Sequence, residues 1–434
     1  MSNSITLFWF RRDFRLDDNA ALYKALNSGK KVQPIFIFDQ NILDKLEDKN
    51  DRRVTFIHDR ISSLKQDLNN LGADLWMFYG KPIEIFQDLM KKHNIHELYA
   101  NKDYEPYARE RDKAVFKLME DSNIRFRAFK DHVIFEKEEV LKDDGDPYVV
   151  FTPYSKTWKE HLKASHLESY PTSEVLENLY QTDATDMIEL SSMGFTKHAH
   201  DWGDNDIDIS IVENYDQTRD TPSINGTTRL SVHLRFGTVS IRKLARIGQK
   251  HNEKWLNELI WRDFYQSILW HFPHVVNGSF RKKYDRIPWR DDEEGFQAWC
   301  DGKTGYPIVD AGMRELNETG FMHNRVRMIV ASFLVKHLLI DWRLGEAYFA
   351  RKLLDFELAS NNGGWQWAAG SGVDAAPYFR VFNPYLQTDK YDSEKKYIKK
   401  WVAEFGTTDY PEPIVDHKYA RERAISTYKE ALNG

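Results

Sequence analysis

The chain has 434 residues, 41% apolar and 29% charged, with a net charge of −6 at neutral pH. That length is too great for one small core and predicts two or three domains, and the balance of residue types excludes a disordered or membrane-embedded chain. The negative net charge excludes a nucleic-acid footprint spread over the whole surface, so any DNA site has to be local.

Residues 1–130 repeat a strand-then-helix rhythm. Short apolar runs at Thr6 to Phe10, Val32 to Phe38, Asp74 to Phe78, Glu97 to Ala100 and Arg125 to Phe129 predict strands. Between the second and third, Val54, Ile57, Ile61, Leu64 and Leu68 fall at helical spacing within Arg52 to Leu71. Strands alternating with helices predict an α/β domain with a doubly wound parallel sheet, a fold that binds ligands at the carboxyl ends of its strands. Ile5 to Phe10 runs into Arg11 and Arg12, is too short to span a bilayer, and is not followed by a small-residue cleavage site. With Cys300 as the only cysteine, no intrachain disulfide or CxxC pair can form, which fits a reducing, cytoplasmic setting.

Over residues 131–200 the periodicity fades, and Asp143-Asp144-Gly145-Asp146-Pro147 is turn chemistry, so this stretch reads as an interdomain connection. Residues 201–434 carry helical patterns, for example Trp255 to Trp270 and Gly320 to Leu339, and predict an all-α domain ending at Gly434 without a long tail. Gly302-Lys303-Thr304 fails as a phosphate loop because the first glycine would have to stand where Gln297 is. The 15 histidines show no ligand spacing, and no metal site is predicted.

Nine of the 13 tryptophans follow position 250, which suits either a large aromatic core or a site. Asn361-Asn362-Gly363-Gly364-Trp365-Gln366-Trp367 sets amides and glycines beside two indoles, a pattern better suited to approaching a flat, polar-edged ring than to packing. Glu258 and Trp261 lie three apart on one helix face, though Glu258 is equally readable as a solvated carboxylate. Thr227-Thr228 alone reads as a helix N-cap, and Arg281-Lys282-Lys283 alone as a solvated surface.

Read together with Trp9 to Asn19, Thr227 to Ser231, Trp255 to Arg262, Gly305 to Asp310 and Tyr410 to Ile414, these motifs resemble the DNA photolyase and cryptochrome family through nearly the whole chain. The resemblance implies a helical domain holding bent FAD at the base of a cavity that faces DNA. It places Tyr215, Thr227, Thr228, Arg229, Leu230, Ser231 and Trp255 against the cofactor; the hydroxyls and Arg229 suit a pyrophosphate. It also places Asp355, Phe356 and Glu357 near the flavin ring, with Arg327 as partner of Asp355. Many members carry Asp at Glu357, so here the carboxylate reaches differently or the backbone acts in its place. Asn361 falls beside flavin N5, where an amide is a poor proton donor and favours the anionic, fully reduced flavin. Trp365, Trp342 and Trp289 map onto the family's electron-transfer chain, from flavin to surface.

The same resemblance sets Trp261 to stack on flipped pyrimidines and Glu258 to hydrogen-bond to them, with Tyr265, Asn324, Met328 and Trp367 completing the lesion pocket. A basic rim of Arg219, Arg262, Arg281, Lys282, Lys283, Arg325 and Arg380 would meet DNA. (6-4) photolyases carry His at both Asn324 and Met328, because that repair needs proton transfer; splitting a cyclobutane ring needs only an electron out and back. DASH-type cryptochromes tend to have Gln and Tyr at Met328 and Trp367. The pattern looks like a class I cyclobutane pyrimidine dimer photolyase, a monomer acting on DNA that contains pyrimidine dimers; the alternatives are a blue-light-sensing cryptochrome without repair activity and a DNA-binding flavoprotein that has lost catalysis. Folate-binding relatives place Asn and Glu at Tyr107 and Ala108, so a second, antenna chromophore is expected to be a deazaflavin or flavin rather than a folate, or to be absent.

Overall fold

The apolar runs of the first 130 residues become five strands in the computed structural model, which describes residues 4–199, 202–203 and 205–433. They are β1 (Ile5–Phe10), β2 (Val32–Asp39), β3 (Trp76–Gly80), β4 (Ile95–Asn101) and β5 (Arg125–Phe129). All neighbours pair in parallel in the order β3-β2-β1-β4-β5, so the direction of winding reverses between β1 and β4. Every residue of β1 and β2 is buried, which explains why these strands read as unbroken apolar runs. The connections include α1 (Ala20–Leu26), α2 (Arg52–Asn70), α3 (Pro82–Lys92) and α4 (Pro106–Asp121). In α2 the fully buried face is Val54, Phe56, Ile61, Leu64 and Leu68, so Phe56 takes the place expected of Ile57.

Contacts divide the chain into two interleaved units. The first is Met1–Glu136 with Leu162–Asp206 and Leu230–Ile247, and the second is Lys137–His161 with Ile207–Arg229 and Gly248–Gly434. Buried ion pairs tie the segment 230–247 to the rest of the first unit. Asp18 and Asp131 are buried, and Arg242 reaches both at 2.8 Å while Arg15 adds a second cation to Asp131 at 2.6 Å. Burial opposes ionisation of Asp131, but the two guanidiniums outweigh it and hold its pKa down to about 2.

The second unit is helical among its described residues. Its main elements are α5 (Phe151–His161), α6 (Glu253–His271), α7 (Glu293–Asp301), α8 (Pro307–Thr319), α9 (Asn324–Ser332), α10 (Trp342–Lys352), α11 (Leu358–Ala369), α12 (Pro384–Tyr391), α13 (Lys396–Trp401) and α14 (His417–Asn433). Helix α6 starts at Asn252, whose side chain accepts from the backbone N–H groups of Lys254 and Trp255, and it buries residues around most of its circumference. Pro307 begins α8, and Gly320, at φ +72°, ends it, so Gly320 is a terminator rather than the start of the next helix. That next helix is also not uniform: after Ser332 the chain widens into a π-helical segment, Phe333–Leu338, closed by Leu339 at φ +55°. Trp299, Trp342 and Trp365 lie in the core of this unit, so part of the tryptophan excess is packing.

Candidate active site

Helix α6 presents Glu258, Trp261 and Tyr265 on one face, at spacings of three and four residues. Arg219 donates to the Glu258 carboxylate and lies 5.3 Å from the Tyr215 ring centroid. Burial pushes the Glu258 pKa up, with the Arg219 guanidinium opposing it. Tyr265 lies so close to Gly363 of α11 that a Cβ there would sit 2.2 Å from its ring, so only glycine admits the contact. Trp261 is half-buried and tilted against Tyr265 at 5.5 Å. Trp255 sits on α6 three residues before Glu258, buried.

Helix α9 carries Asn324, exposed, and Met328, half-buried, one turn apart. Between them Arg325 bonds Asp220 at 2.7 Å, stacks over Tyr391 at 4.3 Å and approaches the Met328 sulfur at 3.8 Å. Arg327 donates to Asp355 Oδ2 at 2.9 Å and to the Met322 carbonyl at 2.7 Å. Phe356 follows, half-buried against the core, and Glu357 begins α11 as its N-cap residue. On α11 the Asn361 amide donates to the Glu346 carboxylate at 2.8 Å and to the Glu346 carbonyl at 3.1 Å, and burial pushes the Glu346 pKa up against that hydrogen bond. One turn on, Trp365 is buried and meets Phe349 edge-on at 5.0 Å. Trp342 opens α10, buried, and Trp289 is half-buried, 5.9 Å from Tyr428. Trp367 is half-buried near Phe382.

Two models match the chain: one described as DNA photolyase over residues 6–174, and one described as the FAD binding domain of DNA photolyase over residues 255–409. A deoxyribodipyrimidine photo-lyase of Synechococcus is 35% identical, with 98% of this chain aligned to 96% of that one. The chain belongs to the DNA photolyase family. Among solved photolyases, a bacterial class III photolyase from Agrobacterium tumefaciens superposes with a TM-score of 0.88 at 32% identity, covering 100% of this chain and 98% of that one. An archaeal photolyase from Sulfolobus tokodaii, solved with two FAD molecules, gives 0.82 at 34% identity over 98% and 100%.

Within this photolyase framework, polar atoms of the second unit suit the edge of a flavin. Asp355 Oδ1 and Asn257 Oδ1 are buried acceptors without a protein donor, and a buried acceptor left so is costly unless a ligand donates to it. Arg229 holds a left-handed backbone, φ +51°, with its guanidinium over Phe321 at 4.7 Å. Thr227 and Thr228 are half-buried in the second unit, and Leu230 and Ser231 continue into the first. The helix that follows, Ser231–Arg235, has Leu230 at its N-cap and no capping side chain, so the two threonines are not serving as its cap.

The basic rim is changed at one position. Arg262 is not at the surface: it is buried on α6 and donates to Glu357 Oε1 at 2.8 Å, the two side chains 9% and 6% exposed. Glu357 therefore spends one oxygen on α6, which is where the longer Glu side chain reaches. Arg281, Lys282, Lys283 and Arg380 are exposed, while Arg219 and Arg325 are half-buried and already paired with acids. Sequence reasoning missed Gly345, Glu346 and Phe151. For Gly345 and Glu346 the only available signal was their place one turn after Trp342; for Phe151 there was none.

Among the described residues no group of three or more His, Cys, Asp and Glu is placed to hold a metal, and no helix is long and apolar enough to cross a membrane.

Proposed function

We propose that the second unit binds FAD through Tyr215, Thr227, Thr228, Arg229, Trp255, Arg327, Asp355, Phe356, Glu357 and Asn361, and repairs cyclobutane pyrimidine dimers in DNA when illuminated. When bound and fully reduced, FAD supplies the electron that splits the dimer and receives it back. The residues supply the rest. The Arg327 ion pair holds Asp355 so that its free oxygen can accept from the flavin, and Asn361 gives that edge an amide instead of an acid. Trp261, Tyr265 and Trp367 form aromatic walls for flipped bases, Glu258 hydrogen-bonds to them, and Arg219, Arg325 and the exposed Arg281, Lys282, Lys283 and Arg380 meet the backbone. Trp365, Trp342 and Trp289 carry electrons inward to oxidised FAD.

The observation that carries the choice of lesion is the pair Asn324 and Met328 on α9, neither of which can act as a proton donor of the kind a (6-4) lesion needs. The neighbouring His323 does not substitute for them. It is buried, its Nδ1 accepts from the Arg325 N–H, and burial pushes its pKa down to about 4, so it holds no acidic proton at neutral pH.

For the α/β unit we favour an antenna role with a flavin or deazaflavin. Tyr107 is engaged in donating to Asp39 at 2.6 Å and Ala108 is buried, neither offering what the folate mode uses, and the Sulfolobus relative was solved with two FAD molecules. A cytoplasmic monomer fits this reading. Reduced holoprotein illuminated with a dimer-containing oligonucleotide should restore the bases in light and not in darkness. Dimers that persist in light, with light-dependent binding of a protein partner, would favour the cryptochrome alternative.

A further inference from the structure

Phe151 opens α5, in a stretch whose sequence reads only as a connection. Its ring lies flat on Trp261, centroids 3.7 Å apart and planes within 4°. Phe264 meets both rings edge-on, at 6.0 Å and 5.7 Å. Isolated aromatic pairs prefer an offset or edge-to-face arrangement to such a sandwich, so the scaffold imposes this one. A backbone contact holds it: the Asp374 N–H donates to the Val149 carbonyl at 3.2 Å, two residues before Phe151. Asp374 itself sits at φ +47° in the turn after α11. The start of α5 is thereby tied to the end of the helix that carries Trp367. Phe151 leaves Trp261 only its remaining surface for a ligand.

We propose that Phe151 is a positioning residue of the lesion site, acting through Trp261: it fixes the plane of the indole and closes one of its faces, so that a flipped pyrimidine pair stacks on one side only. The proposal rests on the reading that Trp261 contacts the lesion, and it gives α5 a part in substrate recognition.

The test uses FAD-loaded protein and a double-mutant cycle. Phe151→Leu keeps an apolar side chain and loses the flat ring. It is expected to weaken dark binding of a dimer-containing oligonucleotide about 3- to 10-fold, while FAD content, photoreduction rate and affinity for undamaged DNA stay unchanged. Phe151→Tyr should restore dimer binding. In a Trp261→Ala background, Phe151→Leu should add nothing. Equal loss for damaged and undamaged DNA, or loss of FAD, would show a merely structural role and overturn the proposal. So would an undiminished Phe151→Leu effect without Trp261, or none in its presence. If Trp261→Ala leaves dimer binding intact, the lesion role of Trp261 fails first and takes the proposal with it.

Discussion

Arg262 and Lys282 carry the same charge and sit in the same half of the chain, yet their surroundings give them opposite tasks. The Arg262 guanidinium is enclosed and bonded to an enclosed carboxylate, so removing it takes the cation away from Glu357 in a poorly solvated site. Arg262→Ala should cost about 3–5 kcal/mol in denaturant melts, the usual penalty for breaking a buried pair, with little change in the salt dependence of DNA binding. Alanine at Arg281 and Lys282, both exposed, should leave stability within about 0.5 kcal/mol. Each should lower the slope of log affinity against log salt by about 1 if its phosphate contact is lost. A salt slope that falls for Arg262→Ala and not for Arg281 and Lys282 would reverse this assignment.

At the scale of elements, α10 and α11 are locked in register by two contacts one turn apart on α11. Asn361 bonds Glu346, and Trp365 lies across Gly345, where an added Cβ would stand 2.1 Å and 2.4 Å from ring atoms of the indole. Gly345 is one turn after Trp342, so the absence of a side chain there brings Trp365 onto the helix that bears the next tryptophan. Gly345→Ala must therefore displace Trp365 or part the helices, at about 1–3 kcal/mol for overpacking. Flash photolysis should show slower photoreduction of oxidised FAD, while pre-reduced protein still repairs. Unchanged photoreduction kinetics would remove Trp365 from the route or show that the ring shifts without consequence.

For the molecule as a whole, buried histidines make stability depend on acid. Burial, with nearby cations adding to it and Asp220 opposing it at His323, holds His233 in the first unit down to about 4, and in the second unit His323 to about 4 and His337 to about 3. An unfolded histidine binds its proton near its ordinary value of 6.5, so unfolding takes up protons below that pH. The stability is complete above pH 6.5 and is lost as pH falls toward 4. Buried Asp310 and Glu315, whose pKa values burial raises, act in the opposite sense, so the total curve blends the two and a difference is the cleaner measurement. Asparagine at position 323 can still cap α9. Between pH 6.5 and 4, the stability advantage of the native chain over His323→Asn should shrink by about 1.4 kcal/mol per pH unit. A difference that stays flat over that range would mean His323 is solvated.

What the sequence alone determined is what depends on neighbours along the chain. The five strands of the sheet, the amphipathic face of α2, the extent of α6 and the succession of family motifs are all local patterns of period, capping and order, and they survive folding because burial of one face enforces them. Tertiary structure decided the rest, because it depends on which groups exclude water together. The reach of Glu357 to a buried Arg262, the support of Trp365 by Gly345 and the stacking of Phe151 on Trp261 join residues from 20 to 110 positions apart. No spacing rule links such pairs, since each exists only where two packed elements meet.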